Sequence, residues 1–402
     1  MKKIISNGCL LLAVAMMASC GKDDKPWVQT PPPADTTVVS TIDYLKLAKE
    51  THSFTVGNLL TQYSSYRSNT TSGANQISEW YQVSQMYADA AMIQAGQANY
   101  LSYMNNTFIW MENLWDKNNP SGGYFAACNL NGSGAGGDKY VDDNGLTGMV
   151  YLEAYDITTG ADRDAYFNKA KACGDWLINS GLWDNTYDGG FWWSTEKTFK
   201  PTQANGVALQ LFLRLYKITG QQVYKDWAIK TDTWLQEKMY DNAKKLYIWK
   251  IDGPGAGTKH TEVFTYDNAV MIEANLLHNT VLNEPSYLTK AQSLGTAMNT
   301  VLWNQQYKMY LFNTQPTQNR VNPAWCGWGS QGMIRLYEAD GNKLWLTYAK
   351  NNIDGLNKSN RNATTFGYHF FAAFNGTDRA PEFETVDQAW MQRVQALYSK
   401  YQ

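Results

Sequence analysis

Histidine is scarce in this chain. Only His52, His260, His278 and His369 are present, no two at the spacing of ligands on a zinc-binding helix, and each reads as a loop or core residue. Cysteine is nearly as sparse, with five residues. Cys9 lies in the N-terminal apolar run and Cys20 ends that run. The remaining three, Cys128, Cys173 and Cys326, allow at most one disulfide within the chain and fit no zinc site. No disulfide framework therefore holds the fold together. Neither sign of charge dominates: the formal net charge is -2, so no basic surplus draws the chain to nucleic acid or an anionic membrane. There is no Gly-x-Ser-x-Gly elbow and no phosphate-binding loop. No metal or cofactor is expected.

Aromatic residues are abundant instead, with 16 Trp and 26 Tyr. Their faces suit the apolar C–H faces of sugar rings, although core packing is the commoner use of any one Trp. At the N-terminus, Lys2 and Lys3 precede the apolar run Cys9 to Met17, which is too short to span a bilayer as a permanent helix. Residues 1–19 read as a secretion signal. Ala18-Ser19-Cys20 resembles a bacterial lipobox with Met17 in place of the usual Leu, which makes Cys20 the lipidated first residue of the mature protein; a plain signal peptide is the alternative. Gly21-Lys22-Asp23-Asp24-Lys25 resembles the acidic signal with which some gut Gram-negative bacteria export lipoproteins to the cell surface. Residues 20–40, with Pro31-Pro32-Pro33 and several Thr, read as a solvated tether. The expected location is the outer membrane, on its surface or its periplasmic face, with the lipid as the only membrane contact.

From residue 41 to 402 the pattern is largely helical, and no second Pro-rich break divides it, so one domain is expected. A repeat runs through it. Leu152 to Gly160 is followed by Tyr166-Phe167-Asn168-Lys169-Ala170; Leu213 to Gly220 by Tyr224-Lys225-Asp226-Trp227-Ala228; Ile334 to Gly341 by Trp345-Leu346-Thr347-Tyr348-Ala349. Weaker copies contain Leu276-Leu277 and Tyr87. In each clear copy a helix reaches a Gly, where a left-handed C-cap carries least strain, and a second helix follows. Such pairs bury one face only by stacking on the next pair. An open solenoid and a closed (α/α)6 toroid both satisfy this. Long loops on one side, rich in aromatics and Gly, favour the all-α toroid with a central cleft.

The chemistry is sought at Asn131 to Leu146. Four Gly in seven residues, Asn131 to Gly137, form a loop, and Asp142-Asp143 then open a helix whose apolar positions are Leu146, Met149, Val150 and Ala154. Acids at a helix start ordinarily cap free N–H groups. A calcium loop does not fit, because Tyr140 and Tyr151 would occupy ligand positions. Two close carboxylates also suit glycoside hydrolysis, where repulsion raises one pKa and the helix dipole favours the other as an anion.

Four stretches in order, Asp142-Asp143 with Tyr155 to Gly160, Gly189-Gly190-Phe191-Trp192-Trp193, Lys200 to Asn205, and Thr265-Tyr266-Asp267-Asn268, resemble glycoside hydrolase family 76, the endo-α-1,6-mannanases. The resemblance implies an (α/α)6 barrel that cuts α-1,6-linked mannan with retention, Asp142 as nucleophile and Asp143 as general acid/base. It implies Trp192 and Trp193 as cleft walls, and Asn205, Tyr266, Asp267 and Asn268 as hydroxyl-binding residues. For Asn205, Tyr266, Asp267 and Asn268 a capping or helix-starting role competes, and for one of the tryptophans a core role does. Pro201 and Asp267 depart from the family pattern, and Asp267 adds an anion near the site. The expected partner is α-mannan polysaccharide or oligosaccharide, bound by a monomer. A non-catalytic glycan-binding lipoprotein and another (α/α)6 carbohydrate-active enzyme are the competing functions.

Overall fold

Two kinds of helix alternate along the chain, distinguished by how many of their faces are buried. In the computed structural model, which describes residues 42–71, 74–315 and 319–402, six helices are buried nearly all round: α2 (Glu79–Gln94), α4 (Val141–Ile157), α6 (Thr202–Thr219), α8 (Thr265–Leu282), α10 (Pro323–Asp340) and α12 (Thr385–Tyr398). Six others bury one stripe: α1 (Tyr44–Asn58), α3 (Leu101–Met111), α5 (Gly160–Asn179), α7 (Gln222–Trp234), α9 (Ser286–Val301) and α11 (Lys343–Asn360). In α11 the buried set is Trp345, Ala349, Asn352, Ile353 and Leu356, a helical stripe with polar residues opposite. The secretion signal, Cys20 and the tether lie outside the described residues.

The inner helices form a closed ring. Each packs on the next, from α2 through α4, α6, α8 and α10 to α12, and α12 packs back on α2. Every outer helix covers one inner helix, and α1 covers α12, so the first and last helices complete the circle. The Tyr44 hydroxyl donates to Asp354 at 2.6 Å, and Arg361 pairs with Glu50 at 2.6 Å across this closure. The architecture is the (α/α)6 toroid, not the solenoid. Close approach within the ring needs small residues: a Cβ at Gly148 would lie 2.6 Å from Leu211, and one at Gly206 2.7 Å from Val270.

One buried ion cluster ties four inner helices together on the axis. Arg393 of α12 donates to both Glu153 oxygens of α4 at 2.8 and 3.1 Å, to Gln331 of α10 at 2.5 Å, and to the Tyr87 carbonyl of α2 at 2.8 Å. Breaking such a pair costs about 3–5 kcal/mol, because the partner charge stays buried.

Turns from inner to outer helix are short, whereas the returns are long and carry short antiparallel strand pairs and one three-stranded sheet. Gly220 and Gly341 take the left-handed cap conformation expected of them. Gly160 differs: α4 ends on an extended Thr158, and Gly160 opens α5 with φ +61°. The three cysteines within the described residues are free and buried.

Each long return is locked to its inner helix by one amide side chain. Asn144 accepts from the Tyr124 N–H at 2.6 Å and donates to the Tyr124 carbonyl and to the Tyr140 carbonyl one helical turn before it. Asn205 does the same for Phe191 and Pro201, and Asn268 for Tyr247 and Phe264. Gln82 holds Tyr66 and Ser78, and Gln388 holds Tyr368 and Glu384. In the sixth repeat Cys326 occupies the position, and Asn352 of α11 takes over by accepting from the Tyr310 N–H and donating to the Cys326 carbonyl. The return backbone is buried here, so its polar groups need these partners. Asn205→Ala strands the Phe191 N–H and carbonyl, and is expected to lower the unfolding free energy by about 2–4 kcal/mol in denaturant titration. A loss below about 0.5 kcal/mol would show the lock to be dispensable.

Candidate active site

The locks decide what reaches the mouth of the ring. The first turns of five inner helices, α2, α4, α6, α8 and α10, meet at a cavity of about 710 Å³. The residues just before the locking amide, Tyr81, Asp143 and Asp267, line it, as do Trp80, Asp142, Gln203 and Tyr266 one position earlier. Trp325 lines it from α10, whose start is fixed by Pro323 in the first turn and by the Asn322 side chain accepting from the Trp325 N–H at 3.0 Å. Trp193, Phe199, Trp249 and Phe312 complete the walls from the long returns.

Asp142 and Asp143 are side by side in the first turn of α4, partly exposed to this cavity. Their surroundings differ. Asp142 accepts from the Trp193 indole N–H at 3.0 Å and from the Asp143 backbone N–H at 3.1 Å. Burial nevertheless pushes its carboxyl up, to about 6, with those two donors opposing the rise. Asp143 has no such donors. Burial, then the charge of Asp142, raises its carboxyl well above the usual carboxylate range. The pair titrates as a unit, and its anion rests on Asp142 while Asp143 keeps the proton. The capping reading of the pair holds in one respect: Asp142 does accept a free helix N–H.

Beneath the pair lies Glu79, fully buried, accepting from the Thr147 hydroxyl at 2.8 Å. Burial first and the neighbouring aspartate pair next push its carboxyl well above its ordinary range. Asp267 is also buried, and neither of its oxygens has a hydrogen-bond partner; the Gln203 backbone N–H favours its anion slightly from outside hydrogen-bond geometry. Burial dominates and raises the Asp267 carboxyl well above its ordinary range, which opposes the additional anion its sequence position suggests.

Of the residues singled out in the sequence, Asp142, Asp143, Trp193, Tyr266 and Asp267 meet at the cavity. Trp192, Asn205 and Asn268 do not line it. Asn205 and Asn268 spend their amides on the return backbone. Trp192 and Trp193 are neighbours in an extended segment and face opposite ways. Trp193 stacks on Phe199 at 4.8 Å, whereas Trp192 is buried, donates to Asp184 at 2.6 Å and lies 4.7 Å from the Lys200 ammonium. Gly190 makes room for this turn: its φ is +85°, and a Cβ there would lie 2.5 Å from Trp234. Glu79, Trp80, Tyr81, Gln203, Trp249, Phe312 and Trp325 were not visible as site residues, because they belong to separate repeats that meet only when the inner helices stack.

A model of glycosyl hydrolase family 76 matches residues 47–325. The chain belongs to this family. A family 76 α-mannanase from Bacteroides thetaiotaomicron superposes with a TM-score of 0.78 at 21% identity, covering 90% of this chain and 98% of that one. An α-1,6-mannanase of Salegentibacter sp. HEL1_6, solved as an inactive variant with two adjacent aspartates replaced by asparagine and in complex with α-1,6-mannotriose, superposes at 0.70 with 17% identity, covering 89% and 99%. A mannan endo-1,6-alpha-mannosidase of Candida glabrata is 29% identical over 104 residues, and the match spans 23% of that protein's length. A cellobiose 2-epimerase of Bacillus thermoamylovorans also superposes at 0.70, with 11% identity, so the toroid by itself does not select the family 76 chemistry.

A carboxyl raised by burial binds its proton more tightly folded than unfolded. Its folded form is therefore favoured below the unfolded value near 4, and that advantage is lost as pH rises toward the folded value, about 6 for Asp142 and higher for Asp143. Asp143→Asn removes the burden at neutral pH. Its melting temperature at pH 7 is expected to equal or exceed that of the wild type, with the gap closing toward pH 4. A variant less stable at pH 7 than at pH 4, relative to the wild type, would contradict this assignment.

Proposed function

We propose that the chain is an endo-acting α-1,6-mannanase that hydrolyses mannan backbones with retention of configuration. One observation carries the reading: two adjacent carboxyls, only one of them held by hydrogen-bond donors, open together onto an aromatic-walled cavity. The inactive Salegentibacter variant and its mannotriose ligand support the substrate and the role of an adjacent pair.

In this reading the aromatic walls hold sugar rings, and Asp267 donates its O–H to a hydroxyl. The Asp142 carboxylate attacks the anomeric carbon. The bond to the leaving sugar's oxygen breaks as Asp143 gives that oxygen its proton. A mannosyl ester of Asp142 results. Ester formation removes the charge that kept Asp143 protonated, so Asp143, now a carboxylate, can take a proton from water. The water oxygen attacks the same carbon from the opposite side, the ester bond breaks, and both groups return to their starting states. Adjacent residues in one helical turn suit the shorter carboxyl separation of retaining enzymes.

We further propose that Cys20 carries the lipid anchor of an outer-membrane lipoprotein and that the enzyme is a monomer; the residue pattern at 1–25 supports the anchor. Replacing Cys20 with Ala should then release the protein into the soluble fraction and abolish labelling by a fatty acid. The catalytic reading is tested by reducing-end release from debranched α-1,6-mannan. Asp142→Asn and Asp143→Asn should each cut turnover by about 10³-fold or more with folding intact. Near-normal rates in both variants would refute the site.

A further inference from the structure

We propose that the substrate groove continues past the carboxylates along the antiparallel strand pair of Gln76–Ser78 and Ala127–Asn129, as an amide-lined outer subsite for a further mannose unit. This rests on the α-mannan reading above. A second cavity, of about 420 Å³, lies beside the first, and Gln76 and Ala127 line both, so the two are one groove.

The strand register explains the continuity. The strands pair Gln76 with Asn129, Ile77 with Cys128 and Ser78 with Ala127. Side chains alternate across a strand, so Ile77 and Cys128 are buried while the other four residues share the opposite face; Cys128 also borders the extension. Ser78 and Ala127 belong to the deep cavity. Gln76 and Asn129 stand two residues further out, about 7 Å along the strands. Wall chemistry changes over that step: the deep part is aromatic, whereas no aromatic side chain lines the extension. Amides present donors and acceptors together, which matches sugar hydroxyls that stay partly in water.

The Gly-rich loop at 131–137 gains a role here. The carboxylates are fixed by α4 and the Asn144 lock rather than by that loop. Its glycines line and shape the extension instead. A Cβ at Gly134 would lie 2.9 Å from the Asn129 amide nitrogen, and at Gly136 an added Cβ meets nothing within 4 Å. Gly134 thus leaves room for Asn129, and Gly136 leaves the floor bare.

The test compares kcat/KM on linear α-1,6-mannooligosaccharides of increasing length for the wild type, Asn129→Ala and Gly136→Leu. Gly136→Leu fills the floor without a packing clash at its Cβ. The ratio of kcat/KM on the longest to that on the shortest cleaved oligomer should fall about fivefold or more in both variants. A ratio unchanged in both would overturn the subsite while leaving the mannanase reading standing. Calorimetric binding of the same oligomers to Asp142→Asn separates the two claims. If affinity rises with length, that rise is lost on adding Asn129→Ala, and the wild type cleaves none of them, the groove stands and the catalytic reading falls.

Discussion

A buried N–H or carbonyl must find a partner, and this requirement organises the mouth of the toroid. The long returns dive beneath the surface before each inner helix begins, so their backbone cannot rely on water. One amide in the first turns of the helix, Asn144, Asn205 or Asn268 for example, satisfies two return groups and one helix carbonyl at once. The residues immediately before that amide are thereby aimed at the axis. Asp142 and Asp143 owe their position to Asn144, and Tyr266 and Asp267 owe theirs to Asn268. Positioning is done by uncharged side chains, which leaves the charges free for chemistry.

Electrostatics then divides two identical side chains into two roles. Burial penalises both anions, but the indole of Trp193 and the Asp143 backbone N–H repay part of that penalty to Asp142 alone. Asp143 faces the Asp142 charge with nothing to offset it. Around them burial raises the Glu79 and Asp267 carboxyls well above their ordinary range as well, so this end of the ring resists further negative charge. A site of this kind trades stability for reactivity. The axial Arg393–Glu153 pair and the closed ring supply the rigidity that holds such a cluster in place.

Much of this was legible in the residues. Tyr155, Tyr216 and Tyr337 marked the repeat, and the same interval before each of them lie Asp143, Ala204 and Trp325, of which Asp143 and Trp325 face the mouth. Family resemblance named the aspartates. Ring closure was expected from the long one-sided loops and the family resemblance, although α1 on α12 and α12 on α2 are contacts between the chain's extremes with no local signature. The unread wall residues lie in separate repeats, and Trp80 and Tyr81 stand beside α4 only through the packing of α2 on α4. Asn205 and Asn268 were read as sugar ligands because an amide suits both uses. Their recurrence with Gln82, Asn144 and Gln388 in the first turns of the inner helices is the pattern that distinguishes a lock from a ligand. Trp192 and Trp193 could have been separated by the two-residue alternation of an extended segment.

The central claim is that the anion resides on Asp142 and the proton on Asp143. Covalent trapping tests it most directly. With Asp143→Asn and an α-mannoside bearing an acidic leaving group, ester formation needs no proton donor while its hydrolysis lacks a base, so the intermediate accumulates. Fragment-ion mapping after acid quench should then place the added mannosyl mass on Asp142. An adduct on another residue, or no adduct together with inverted product configuration, would contradict the account.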